Sequence, residues 1–124
     1  MTLAVEMVTF DCADPRRLAE FWAAALETEV AGDYGDFVML ARPAEGSPAL
    51  SFQRVPEPTP GKNRVHVDLA TADRAAEVAR LIGLGATVRY DQLGTVPGFD
   101  WTTLTDPEGN EFCVSQQTGY SETG

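Results

Sequence analysis

The chain has 124 residues, 44% of them hydrophobic, and a formal net charge of −10, which is the profile of one globular domain with a real core. Nine Lys+Arg against nineteen Asp+Glu, with no basic run, argue against nucleic acid or an anionic membrane as partner. No apolar stretch approaches the roughly 20 residues of a membrane span, and MTLAVEMVTFD has no basic region ahead of an apolar one, so a cytoplasmic protein is expected.

Val5 to Cys12 alternates as a strand, with Val8, Phe10 and Cys12 on one face and Met7, Thr9 and Asp11 on the other. A helix follows, with Asp14 as N-cap and Pro15 at the first helical position. Leu18, Phe21, Trp22, Ala25 and Leu26 form its apolar stripe, which places Trp22 in the core. Short strands are expected near Glu29–Ala31, Phe37–Ala41 and Ala49–Arg54, separated by glycines and prolines. The segment VPEPTPG from Val55 has too many prolines for a helix or central strand, and a stiff linker is expected at about 56–63.

Beyond the linker the order restarts. Arg64–Ala70 alternates as a strand, and Thr71 or Asp73 can cap a helix that turns Val78, Leu81 and Ile82 inward and ends at Gly85. Arg74, Glu77 and Arg80 fall on its wet face. Strands are expected at Ala86–Tyr90, Phe99–Leu104 and Glu111–Gln116. VTFD at Val8 and VHVD at Val65 align at an offset of 57, as do LAEF at Leu18 and AAEV at Ala75, while Asp14 and Asp73 align at 59. A duplicated βαβββ unit is therefore expected, an α+β domain with module one at about 3–55 and module two at about 64–117.

The helices must cover the apolar face of each sheet, which leaves a polar face open. That face carries Met7, Thr9 and Asp11, then Ser51 and Gln53, then His66 and Asp68, then Glu111 and Cys113. It is either solvated or the lining of a site. His66 is the sole histidine, and Trp101, Phe99 and Met7 are large enough to wall a pocket. Imidazole titrates near neutrality and binds divalent metals, and Glu111 can act as a carboxylate ligand or base. A catalytic metal wants three protein ligands, so beside His66 and Glu111 the third has to come from Asp68, Gln53 or Cys113. Cys12 and Cys113 have no zinc-type spacing and are expected as reduced thiols.

DCADPRRLAEFW, QRVPEP followed by GKNRVHVDL, RLIGLGA and DPEGNEFCV, in this order, resemble the vicinal oxygen chelate superfamily of glyoxalase I, bleomycin-resistance proteins and extradiol dioxygenases. The glyoxalase-like subgroup is the nearest resemblance, over nearly the whole chain. It implies two βαβββ modules curling into an incomplete barrel around a cavity, often in a homodimer. Metal-dependent members place four ligands on the first and last strands of the two modules. His66 matches one of these positions. The others fall on Met7 or Thr9, on Ser51 with Gln53 beside it, and on Cys113 with Glu111 two residues before it. The resemblance thus leaves one divalent metal or none. It implies either a lyase or isomerase moving a proton next to a carbonyl, with Glu111 or Asp68 as base and His66 as its partner or a metal ligand, or a protein that sequesters a drug or metabolite against Trp101, Phe99 and Met7. A dimeric scaffold with a vestigial cavity is the third reading.

Overall fold

The computed structural model describes residues 3–58, 63–96 and 99–116, without the side chains of Thr95, Val96 and Phe99. The chain divides into two compact units, Met1–Pro60 and Gly61–Gly124. Of the expected linker at 56–63, residues 59–62 lie outside the described residues.

In the first unit β1 (Met7–Cys12) leads through Asp14 into α1 (Pro15–Leu26). The Asp14 carboxylate accepts a bond from the Arg17 N–H at 3.2 Å, and Pro15 fills the first turn, where its missing N–H costs nothing. Three strands complete the unit, β2 (Val30–Asp33), β3 (Phe37–Leu40) and β4 (Ala49–Arg54). The sheet order is β1-β4-β3-β2, with β1 parallel to β4 and the other pairs antiparallel. Leu18, Phe21, Trp22 and Ala25 turn the stripe of α1 onto this sheet and are buried. Trp22 packs against Phe10 of β1 with ring centroids 5.6 Å apart, and Phe10 meets Phe52 of β4 at 5.3 Å.

The second unit repeats the plan with β5 (Asp68–Thr71), α2 (Arg74–Leu84), β6 (Thr87–Val96), β7 (Phe99–Thr105) and β8 (Glu111–Gln116). Its order is β5-β8-β7-β6, again with the first and last strands parallel and the other pairs antiparallel. Each sheet is open, with two edge strands. The paired βαβββ arrangement expected from the repeat is therefore present. Asp73 caps α2 through the Ala76 N–H at 3.1 Å, and Gly85, at φ 120°, ends it in a conformation that residues with a Cβ avoid.

The second unit departs from expectation in four places, the first being that β6, expected to end at Tyr90, runs on to Val96. The strand read from Arg64 starts only at Asp68, and Val65, placed on the apolar face, is 77% exposed. The cause is Asn63, whose side-chain amide binds both backbone groups of Glu111: its Oδ1 accepts from the Glu111 N–H at 2.7 Å and its Nδ2 donates to the Glu111 carbonyl at 3.1 Å. A side chain thus takes the pairing that a strand would have used. Ile82 projects from the flank of α2 at 49% exposure, and the core position of that helix is Leu81. Arg74, placed on the wet face, instead turns inward, donating to the Thr102 hydroxyl at 2.6 Å and pairing with Asp91 at 3.5 Å. Its long apolar stem lets a charged head reach a polar spot beside the core.

Candidate functional site

The site grows out of strand alternation in the second unit. On β8, Phe112 and Val114 are buried, so Glu111, Cys113 and Ser115 share the opposite face. The register then sets a row across all four strands: Asp68 opposite Cys113, Cys113 opposite Thr103, Thr103 opposite Tyr90. The next row pairs Ser115 with Trp101. These residues, with His66 and Glu111 at one end, line a concavity of about 440 Å³. Among the described residues, no lysine or arginine lines it.

The turn before β8 is built as its sequence suggests. The Asp106 carboxylate is nearly fully buried and accepts from the Glu108 N–H at 2.9 Å, the Asn110 N–H at 3.0 Å and the Asn110 Nδ2 at 2.9 Å. Pro107 suits the second turn position, and Gly109 takes φ 86°, which favours a residue without a Cβ. The turn delivers Glu111 at the first strand position, where the Asn63 amide holds its backbone. Asn63 also donates to the Val65 carbonyl, tying the segment that carries His66 to the strand that carries Glu111.

Within the pocket, His66 Nδ1 lies 3.2 Å from Asp68 Oδ1, and both residues are exposed. Cys113 Sγ lies 3.4 Å from the Thr103 hydroxyl. Burial pushes the Cys113 thiol above its ordinary range. The Asp68 and Glu111 carboxylates push the same way, and the Thr103 hydroxyl opposes them. Thiolate therefore forms at higher pH than in a free cysteine. Iodoacetamide labelling of native protein should stay slow through neutrality and rise only above the usual thiol range near 8.5. Cys12 is fully buried, so the label should fall on Cys113 and vanish in Cys113→Ser. Rapid labelling at pH 7 would contradict this environment.

Of the residues singled out in the sequence, the pocket gathers His66, Asp68, Trp101, Glu111 and Cys113. Phe99 opens β7, but its side chain lies outside the described residues. Met7, Thr9 and Gln53 lie on β1 and β4 of the first unit. Their strand partners there are Ala49, Ser51 and Asp11. Thr9 and Ser51 share a hydroxyl hydrogen bond of 2.7 Å, and Ser51 is buried although its face was read as open. Tyr90, Thr103 and Ser115 were not anticipated. Thr103 and Ser115 continue the alternation of Trp101 and Cys113 and could have been read from it. Tyr90 reaches the pocket only because a bulge between Val88 and Tyr90 shifts the register of β6.

The four-ligand metal pattern implied by the resemblance does not fit these residues. Its first-unit positions offer a thioether at Met7, two hydroxyls bound to each other at Thr9 and Ser51, and a side-chain amide at Gln53, not the imidazole, carboxylate or thiolate donors that catalytic zinc or iron takes. In the second unit the side chains converging on His66 are Asp68 and Cys113, their ligand atoms all within 4.8 Å of one another. Glu111 lines the same pocket but is not among them.

Two βαβββ units, each with its first and last strands parallel and one helix on its sheet, make up this fold, which is similar to that of solved proteins named for the glyoxalase/bleomycin resistance/dioxygenase superfamily. Residues 7–115 match the family described as a glyoxalase-like domain, and the chain belongs to that family. It is similar to a glyoxalase/bleomycin resistance protein/dioxygenase family enzyme from Burkholderia phytofirmans, with a TM-score of 0.76 and 18% identity over 91% of this chain and 98% of the other. A superfamily member from Sphaerobacter thermophilus gives 0.69 and 20% over 93% and 98%. A fosfomycin resistance protein from Mesorhizobium loti gives 0.69 and 14% over 99% and 96%. At these identities the likeness speaks to fold. No curated protein matches the sequence. Among the described residues, no helix is long and apolar enough to cross a membrane.

Proposed function

We propose that the pocket of the second unit binds a small carbonyl compound and moves a proton on the carbon next to its carbonyl, with Glu111 as the base. The observation that carries this reading is the joint placement of a carboxylate and a carboxylate-held imidazole in one pocket beside an aromatic wall. Asp68 takes the Nδ1 side of His66 and fixes the ring. Nε2 is then the nitrogen left to meet the carbonyl oxygen, as a donor when the ring is protonated. Negative charge building on that oxygen is what such a donor stabilises, while Glu111 removes the proton. Asn63 and the Asp106 turn keep Glu111 in register.

The test is solvent exchange. Hydroxyacetone, dihydroxyacetone and methylglyoxal are incubated with protein in D₂O, and deuterium uptake beside the carbonyl is followed by NMR. Wild type should accelerate exchange on at least one of them, and Glu111→Gln should lower that acceleration by about 10²–10⁴-fold, the usual worth of a positioned base. Exchange unchanged in Glu111→Gln sinks this role for Glu111.

A second reading is sequestration of a drug or metabolite, the role named for the superfamily's bleomycin-resistance members. Trp101 and Tyr90 in the pocket favour it, because aromatic walls are what a small-molecule binding site uses for contact. A sequestering protein should keep its affinity in His66→Ala and Glu111→Gln and lose it in Trp101→Ala.

A further inference from the structure

We propose that the pocket of the second unit selects a carbonyl compound that also carries an ammonium group, with the cation held against Trp101 and Tyr90 and the carbonyl at the His66 end. This selection rests on the proton chemistry proposed above and adds the class of substrate. Carboxylated and phosphorylated carbonyl compounds are then disfavoured.

Charge comes first. Asp68 and Glu111 line the pocket, and among the described residues His66 is the one basic side chain beside them. Two carboxylates outweigh one imidazolium, so the lining is net negative whether the ring is neutral or protonated. The arginines of α2 do not offset it. Arg74 reaches Thr102 and Asp91, which strand alternation turns to the face opposite Trp101 and Tyr90, and Arg80 pairs with Glu77 at 2.9 Å on the helix. From Gly61 on, the chain carries nine Asp+Glu against five Lys+Arg, so the wider field has the same sign. Cys113 sits in the middle of the pocket row and feels that field. Burial is the main force raising its thiol, and both carboxylates add to it. A cleft of this sign concentrates cations and repels anions.

The aromatic pair then places the cation. Tyr90 is the strand partner of Thr103, and Gln92 that of Trp101. Tyr90 and Trp101 are therefore diagonal neighbours on one face, a spacing within reach of aromatic side chains. The faces of indole and phenol rings attract an ammonium, and a quaternary one suits them best because it has no N–H bond left to satisfy. The strand register also sets the length of the substrate. Across the sheet, Asp68, which holds His66, is followed by Cys113, Thr103 and Tyr90. Three strand spacings put roughly 14 Å between the backbones at the two ends, and side chains reach in from both. That leaves room for a spacer of a few methylenes between the carbonyl and the ammonium.

The experiment uses the full chain and three methyl ketones alike in shape and unlike in charge, with a propyl spacer ending in trimethylammonium, tert-butyl or sulfonate. Each is titrated into ¹⁵N-labelled protein, dissociation constants are read from the Thr103 and Cys113 amide shifts, and exchange beside the carbonyl is followed in D₂O. The ammonium ketone should bind about 10-fold more tightly than the tert-butyl one, the scale of a partly desolvated cation–π contact, and the sulfonate should bind weakest. Trp101→Ala should remove most of this preference and Trp101→Phe should keep part of it, with circular dichroism to check that both fold. Equal or tighter binding of the tert-butyl or sulfonate ketone, a preference unchanged in Trp101→Ala, or no saturable shift with the ammonium ketone would each overturn the proposal. The two proposals fail separately. The charge order is read from binding and should persist, though reduced, in Glu111→Gln, which should lose exchange. Exchange without the charge order would sink only the substrate class, and the charge order without exchange only the proton chemistry.

Discussion

Trp22→Ala should lower the stability of the protein by about 3–5 kcal/mol, the range for emptying a buried aromatic site. Trp22 is fully buried on α1, meets Phe10 at 5.6 Å and stands edge-on to Phe21 at 5.3 Å, and Phe10 in turn meets Phe52. Four aromatic rings from a helix and two strands share this contact, so the indole's space cannot be refilled without moving the helix against the sheet. A domain of this size has about 5–15 kcal/mol in total, and a loss on this scale takes a large part of it. Trp22→Phe keeps a ring and should cost clearly less. Urea unfolding followed by circular dichroism measures both. A loss under 1 kcal/mol for Trp22→Ala would mean that the four rings do not form the core of the first unit.

Asp106→Ala should be the most damaging change outside the apolar core. The buried carboxylate accepts two backbone N–H groups and a side-chain amide, and orphaning a buried donor costs about 1–3 kcal/mol. The turn is partly wet, so water can recover some of this, and a net loss of about 3 kcal/mol is expected. Asp106→Asn keeps one acceptor oxygen for the two backbone N–H groups and should recover roughly half of that loss. The change also reaches the pocket, because this turn places Glu111 and Cys113 at the start of β8. Thermal unfolding should show the stability loss, and the exchange assay at low temperature should show weakened catalysis in protein that is still folded. An Asp106→Ala protein as stable as wild type would show that the turn holds without its carboxylate.

Much of this structure follows from local rules that a sequence exposes. The Asp14–Pro15 cap and the Leu18–Trp22–Ala25 stripe fix α1, and alternation fixes which way Phe10, Phe112 and Val114 point. The DPEGN turn is legible because each of its residues suits its position. The rest depends on partners far away in sequence. Nothing near Arg64 announces that the Asn63 amide will occupy the backbone of Glu111, 48 residues on, and so delay β5. Arg74 carries the pattern of a solvent-facing residue until the Thr102 and Asp91 acceptors come within its reach. The bulge that turns Tyr90 toward the pocket adds one residue to β6, and that residue, Arg89, carries no signal of its own. The site was therefore half visible. Asp68, Glu111 and Cys113 could be read from alternation, whereas His66 precedes β5, and the grouping of Asp68 with Cys113 beside it needed the β5–β8 register.

The central claim is that small molecules act in the pocket of the second unit. Titration of ¹⁵N-labelled protein with acetohydroxamate, a planar mimic of an enediolate, tests it most directly. The account predicts saturable amide shifts centred on Asp68, Thr103, Cys113 and Ser115, with movement of the Trp101 indole N–H signal and none at the indole of Trp22. Shifts centred instead on the strands of the first unit, or no saturable shift with this mimic or with any carbonyl compound active in the exchange assay, would contradict it.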